Sequence, residues 1–196
     1  MTDERLECWL EDLLATRGLT GIRDRDEARR ALLEDSLRGA ELVSRFDGDV
    51  VDVGSGGGVP GIPLAVALPG RDFVLLEAQR RKCDFLERAA RPFPNVRVVW
   101  GRAEEQEVDR FGVAVAKALA QPPVATEWCL PLVRVRGAAI LWVGPTADAA
   151  AVARVSEQLG GGAPEEHDGL LVLPKLAATP AGYPRRPGLA RKRPLA

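Results

Sequence analysis

Histidine is almost missing from this chain. His167 is the only one in 196 residues, and it stands in the glycine-rich, acidic stretch 160–169 beside Glu165 and Glu166, where a solvated loop is expected. Such a chain offers no histidine–nucleophile pair for acyl transfer or hydrolysis. Cysteine is nearly as scarce. Cys8, Cys83 and Cys129 lie far apart, with no paired spacing and no histidine nearby, so they read as reduced thiols and no metal site is expected. No apolar run approaches the ~18 residues that a membrane span needs, and Met1 is followed by acids, not by a basic and then apolar signal region. A soluble, cytoplasmic chain with no membrane partner is the expectation, and nothing in the sequence points beyond a monomer.

Net charge is also lacking overall, but not locally. The chain has 27 Lys and Arg against 28 Asp and Glu, a balance of −1. From Lys175 onward there are six basic residues and no acid, which leaves residues 1–174 with 21 basic and 28 acidic ones. A neutral protein with a basic tail suggests an anionic partner for that tail. At 46% hydrophobic residues the chain can bury a core, and its length fits one domain on a prior of ~100–200 residues per domain.

Helical spacing dominates the first 45 residues. In DERLECWLEDLLATR, Leu6, Trp9, Leu10, Leu13 and Leu14 share one stripe that ends at Gly18, and Asp26 to about Phe46 repeats the pattern with Ala28, Leu32, Leu33, Leu37 and Val43. Beyond that cap, short β-branched runs alternate with helical segments. Strands are expected at Val50–Asp52, Asp72–Glu77, Val96–Trp100, Val113–Val115 and Ala138–Val143, with Leu170–Leu173 as a sixth; Gln79–Arg91, Pro122–Val133 and Ala147–Leu159 read as helices. Alternation with short links implies an α/β fold, a mostly parallel sheet with helices on both faces. The organisation is therefore a helical cap (1–45), an α/β core (46–176) and a proline-rich basic tail (177–196) that cannot form a regular helix.

The chain is organised around VVDVGSGGGVPGIPLA, residues 50–65. A strand ends near Asp52, passes through glycines 54, 56, 57, 58 and 61, and re-emerges as an apolar helix near Pro60. Such glycines admit a nucleotide-like cofactor against the backbone. Two frames overlap here, because Gly56, Gly58 and Gly61 satisfy GxGxxG while Gly54, Gly56 and Gly58 satisfy GxGxG. Glu77, at the end of the second strand, is placed to accept hydrogen bonds from ribose hydroxyls in either class. Asp52 separates the classes: an acid two residues before Gly54 suits the cationic amino group of a methionine moiety and would repel a pyrophosphate. Downstream, Ala103 and Glu104 are candidates to edge an adenine ring. Lys117, a lone cation in VAVAKALA, is expected to face the cleft from the end of its strand.

These stretches carry a resemblance. DVGSGGGVPGIPLA, LLEAQRRKCDFLERA, NVRVVWGRAEE, VAKALA and YPRRPGLARKRPL, with GLTGIRDRDEARRALLEDSL near the start, are similar to the RsmG (GidB) family of small-subunit ribosomal RNA guanine-N7 methyltransferases. The resemblance implies a Rossmann-like class I methyltransferase fold with six to seven strands and S-adenosyl-L-methionine as cofactor. The implied substrate is a guanosine in the 530 loop of 16S rRNA, within the RNA or the 30S subunit, methylated at N7. Carried onto this sequence, the cofactor contacts are Gly54 and Val59, the stretch from Glu77, Ala103 with Glu104, and Lys117; Asp52, Gly56 and Gly58 join them from the loop. Lys117 departs from the family's usual arginine, Gly112 stands where an aspartate is usual, and Leu32 where a histidine is usual.

Guanine N7 carries a free lone pair, so attack on a sulfonium methyl needs no general base. Catalysis is expected from alignment and electrostatics, with Lys117 the candidate to contact guanine O6 or the cofactor carboxylate. Arg185, Arg186, Arg191, Lys192 and Arg193 are expected to hold the RNA backbone, with Arg80, Arg81 and Lys82 as a possible second group. Two rival readings are a non-catalytic RNA-binding or ribosome-assembly factor on the same fold and a nicotinamide-dependent oxidoreductase.

Overall fold

The run Val50–Val53 (β1) is buried at every position, as a strand covered on both faces must be. It is an interior strand, third of seven, of the sheet seen in a computed structural model, which describes residues 3–196. Seven strands follow the order β3-β2-β1-β4-β5-β7-β6: β2 is Phe73–Glu77, β3 Val96–Trp100, β4 Phe111–Lys117, β5 Val133–Trp142, β6 Glu165–His167 and β7 Leu170–Pro174. The first five are mutually parallel, with Val50 opposite Phe73 on one side and Val113 on the other. β7 runs antiparallel to β5, and β6 to β7. Strand order reverses between β1 and β4, so the crevice of this sheet opens above their carboxyl ends.

The helices are α1 (Glu4–Ala15), α2 (Arg25–Ala28), α3 (Asp35–Leu37), α4 (Ala40–Ser44), α5 (Gly61–Ala67), α6 (Arg80–Ala89), α7 (Pro122–Cys129), α8 (Ala149–Gln158) and α9 (Leu189–Lys192). The apolar stripe of α1 buries Leu6, Trp9, Leu10 and Leu13 against Ile62, Leu75, Phe85 and Leu86, so the cap shares one core with α5, α6 and the sheet. Asp3 starts α1 by accepting the Arg5 amide hydrogen.

Three elements differ from the sequence expectation. The helix expected from Asp26 to Phe46 is broken: α2 runs into a π turn, Arg29–Glu34, then α3, and after Gly39 into α4. Tertiary packing is the reason. A Cβ on Gly39 would stand 2.4 Å from the Trp142 ring, and the Trp142 indole N–H donates to the Asp35 carbonyl at 2.9 Å. The expected loop around His167 is instead an edge hairpin, β6 to β7, turned at Asp168 and Gly169, both with positive φ. The charged EEH sequence suits an edge, which natural sheets keep polar. The tail, expected to lack regular helix, forms the one-turn α9.

Gly112, one of the departures from the family pattern, is a packing requirement. A Cβ there would lie 1.7 Å from the Asp47 carbonyl oxygen, and its amide donates to Asp49 at 3.0 Å. Leu32 packs on the edge of the α1 core.

Candidate active site

The loop after β1 decides between the two glycine frames. Gly54, Gly56 and Gly58 have φ of 72°, 58° and 93°, a left-handed conformation that L side chains rarely adopt. Gly61 does not; it opens α5, and it is glycine because a Cβ would meet Leu75 at 2.4 Å and the Asp52 carboxylate at 2.7 Å. The working frame is therefore GxGxG. Helical packing fixes the loop from below, where the buried Trp9 indole N–H donates to the Gly57 carbonyl at 2.8 Å.

Asp52 lies beneath this loop and outside the cleft. It is completely buried, and its Oδ2 accepts the Gly61 amide hydrogen at 3.0 Å while Oδ1 accepts none. Burial pushes its carboxyl up to about 7, opposed by the adjacent Ser55 hydroxyl, which itself donates to the Asp52 backbone carbonyl, and by the Gly61 hydrogen bond, and reinforced by the charge of Glu77. Its amide partner belongs to the helix-opening segment that receives a pyrophosphate in dinucleotide-binding loops. That place is taken here by a carboxylate.

Glu77, at the end of β2, faces the cleft and is 5% exposed. Its two oxygens accept the amide hydrogens of Gly56, at 3.0 Å, and Gln79, at 2.8 Å. Each carboxylate oxygen retains a lone pair, so a ligand hydroxyl can still be accepted. The cleft, about 320 Å³, is walled by the ends of four strands: Gly54 after β1, Ala78 and Gln79 after β2, Gly101 to Glu104 after β3, and Ala118 with Leu119 after β4. Of the sequence candidates, Gly54, Glu77, Ala103 and Glu104 line it, whereas Gly56, Gly58 and Val59 shape the loop behind them. A second recess of about 210 Å³ at the ends of β4 and β5 shares Ala118 and Leu119 with the cleft and is floored by Leu141 and Trp142.

Lys117 is turned elsewhere. Its ammonium pairs with the Asp35 carboxylate and donates to the Ala31 carbonyl at 2.5 Å, both in the helical cap, and it lines neither recess. Burial alone would raise Asp35, but the Lys117 ammonium and the Arg38 guanidinium hold it below the usual carboxylate range. The expectation that Lys117 faces the cleft is corrected on this point: a carboxylate 82 positions away neutralises it first.

The basic tail is likewise not a free arm. Arg185 grips the buried Glu127 with two hydrogen bonds of 2.5 Å and donates to the Arg193 carbonyl at 2.9 Å. Gly188 donates its amide hydrogen to Glu104 at 3.0 Å, and the same oxygen accepts the Trp128 indole hydrogen at 3.1 Å. Arg191 lies over the Trp128 ring, 5.1 Å from its centroid, and both line the cleft. Arg186 and Lys192 line a shallow groove on the outer side of the tail. Arg193 is exposed. Sequence reasoning missed Asp35, Glu127, Trp128 and the cleft role of Arg191; no local pattern marks them, because each acquires its partner from a distant segment. No cluster of potential metal ligands occurs among the described residues, and no described helix is long and apolar enough to cross a membrane.

A family model described as rRNA small subunit methyltransferase G matches residues 5–158. Similar curated proteins bear the name ribosomal RNA small subunit methyltransferase G. One from Moorella thermoacetica is 36% identical over 90% of this chain and 82% of its own length; one from Rubrobacter xylanophilus is 37% identical over 86% and 75%. Among solved structures, a T. thermophilus 16S rRNA N2 methyltransferase determined with AdoMet and guanosine superposes with a TM-score of 0.55 at 16% identity, covering 76% of this chain and 40% of that one. A predicted O-methyltransferase from Agrobacterium tumefaciens gives 0.58 at 14% identity, covering 70% and 78%. At such identities these structures show a shared fold.

Proposed function

The chain belongs to the ribosomal RNA small subunit methyltransferase G family, and from that premise we propose that it transfers a methyl group from S-adenosyl-L-methionine to N7 of a guanosine in the 530 loop of 16S rRNA. The observation that carries the reading is the pairing of Glu77 with the glycine loop: a nearly buried carboxylate held by two backbone amides, with acceptor capacity left toward the cleft.

The residues present fit this cofactor. Glu77 suits the ribose hydroxyls, Ala103, Glu104 and Trp128 suit the adenine end, and Gly54 suits close approach of the methionine side. When bound, S-adenosylmethionine would supply a methyl group on a sulfonium sulfur, its carbon taken by the N7 lone pair as the carbon–sulfur bond breaks and the sulfur leaves as a neutral thioether, with no proton lost. The protein's task is then placement. The recess behind Ala118 and Leu119, floored by Trp142, adjoins the cleft and suits a flipped-out base. Lys117, bound to Asp35, acts by fixing the helical cap against the end of β4, not by touching the reacting atoms. Arg186, Lys192 and Arg193, on the outer side of the tail, suit the RNA phosphates.

Tritiated S-adenosylmethionine offered with 30S subunits from a strain lacking this chain tests the proposal. Label is expected in one 7-methylguanosine of the 530 loop; label elsewhere, or none, would refute it.

A further inference from the structure

The tail that the sequence assigns to RNA is built into the cofactor cleft. Two of the cleft's lining residues, Gly188 and Arg191, come from it, and they meet the ends of β1 to β4 only because the tail folds back across α7. Three contacts of different kinds hold it there: the Arg185 fork on Glu127, the Gly188 amide on Glu104, and the Arg191 guanidinium over Trp128 with a hydrogen bond of 3.3 Å to the Leu119 carbonyl. Ala190, between them, is 2% exposed. Glu127 is 3% exposed, a carboxylate that would be left without a cation if the tail lifted away.

We infer that Gly188 and Arg191 form the wall of the cofactor site at its Glu104 end, that the Glu127–Arg185 pair positions them there, and that cofactor and RNA affinities are thereby coupled. This rests on the cofactor reading above. The physical ground is linkage. Residues facing outward from the same segment, Arg186 and Lys192, are those available to phosphates, so an RNA that holds the tail down preserves the wall, and a cofactor that packs against the wall holds the tail down. Gly188 touches both regions, since it lines the outer groove with Arg186 and Lys192 as well as the cleft.

Calorimetric titration with S-adenosylmethionine and tryptic cleavage within residues 185–193 read this directly. Arg191→Ala is expected to weaken cofactor binding about tenfold, and Glu127→Gln severalfold, within the range usual for coupled sites of roughly 5–150-fold. Saturating cofactor is expected to slow cleavage after Arg185 and Arg191 in the wild-type chain by a similar factor, and Glu127→Gln to speed it. A chain ending at Tyr183 and carrying Glu127→Gln, so that no buried charge is stranded, is expected to melt cooperatively yet bind the cofactor at least tenfold more weakly. Affinities within twofold of wild type in both Arg191→Ala and the truncated chain, or cleavage indifferent to cofactor, would overturn the inference while leaving the cofactor reading intact. No binding by the wild-type chain would overturn both.

Discussion

Lys117 and Asp35, 82 positions apart, are joined side chain to side chain. The bond ties the end of a central strand to the start of α3 in the helical cap, and Ala31, in the π turn before it, accepts a second hydrogen bond with its carbonyl. Lys117→Ala would leave the Asp35 carboxylate to Arg38 alone and take the ammonium donor from the Ala31 carbonyl, so a loss of roughly 1–3 kcal/mol of stability is expected in urea unfolding, with Lys117→Arg retaining most of it. Cofactor affinity is expected to change less than threefold. A large drop in affinity at unchanged stability would restore the direct contact and defeat the anchoring role.

Asp52 gives the protein a pH signature. Burial pushes its carboxyl from the usual 3.8 up to about 7, so between those values the folded chain holds a proton that the unfolded chain has released. A raised carboxyl pKa makes stability fall as pH rises from about 4 through 7, the folding cost being absent below the lower value and complete above the higher. Between pH 5 and 8 the loss is roughly 2–3 kcal/mol. Asp52→Asn, which can still accept the Gly61 amide hydrogen, is expected to flatten that slope in unfolding curves taken at both pH values. A slope unchanged by the substitution would count against the assignment.

Glu77→Ala removes the acceptor for two loop amides as well as the one offered to a ribose. Hydrogen bonds to a charged group contribute roughly 1.5–3 kcal/mol, so cofactor affinity should fall about 10- to 100-fold. Titration calorimetry checks this, and retention of full affinity would remove Glu77 from the site.

Gly112→Asp is expected to destabilise this chain by more than about 2 kcal/mol, because its Cβ would collide with the Asp47 carbonyl oxygen. The midpoint of urea unfolding measures it. Unaltered stability would mean that the 47–49 turn moves freely.

Arg186→Ala and Arg193→Ala should each reduce the slope of log affinity against log salt for the RNA by about 0.7, with little effect on the cofactor. Filter binding over a salt series reads the slope. Arg185→Ala should behave differently, lowering stability and cofactor affinity through its partner Glu127.

Much of the fold and part of the site were legible locally. VVDV, FVLLE and VRVVW have the composition of strands covered by helices, and DVGSGGG carries at three alternate positions a backbone that favours glycine. Glu77 could be placed by counting from the loop. The helix break at Gly39 could not, because it answers to the Trp142 ring, and the β6 strand could not, because a charged edge looks like a loop until a neighbour pairs with it.

By itself, the sequence determined the strand–helix alternation, the glycine turn, the acid at the end of β2 and the concentration of positive charge at the tail. These follow from short-range rules of periodicity and backbone freedom. The tertiary structure alone decided which distant partner three buried or half-buried ionic side chains meet: Lys117 with Asp35, Arg185 with Glu127, and Asp52 with the amide that opens α5. Burial makes an unpaired charge costly, so each such group is directed by whichever opposite charge or amide the fold brings within hydrogen-bonding distance, and sequence proximity carries no record of that choice.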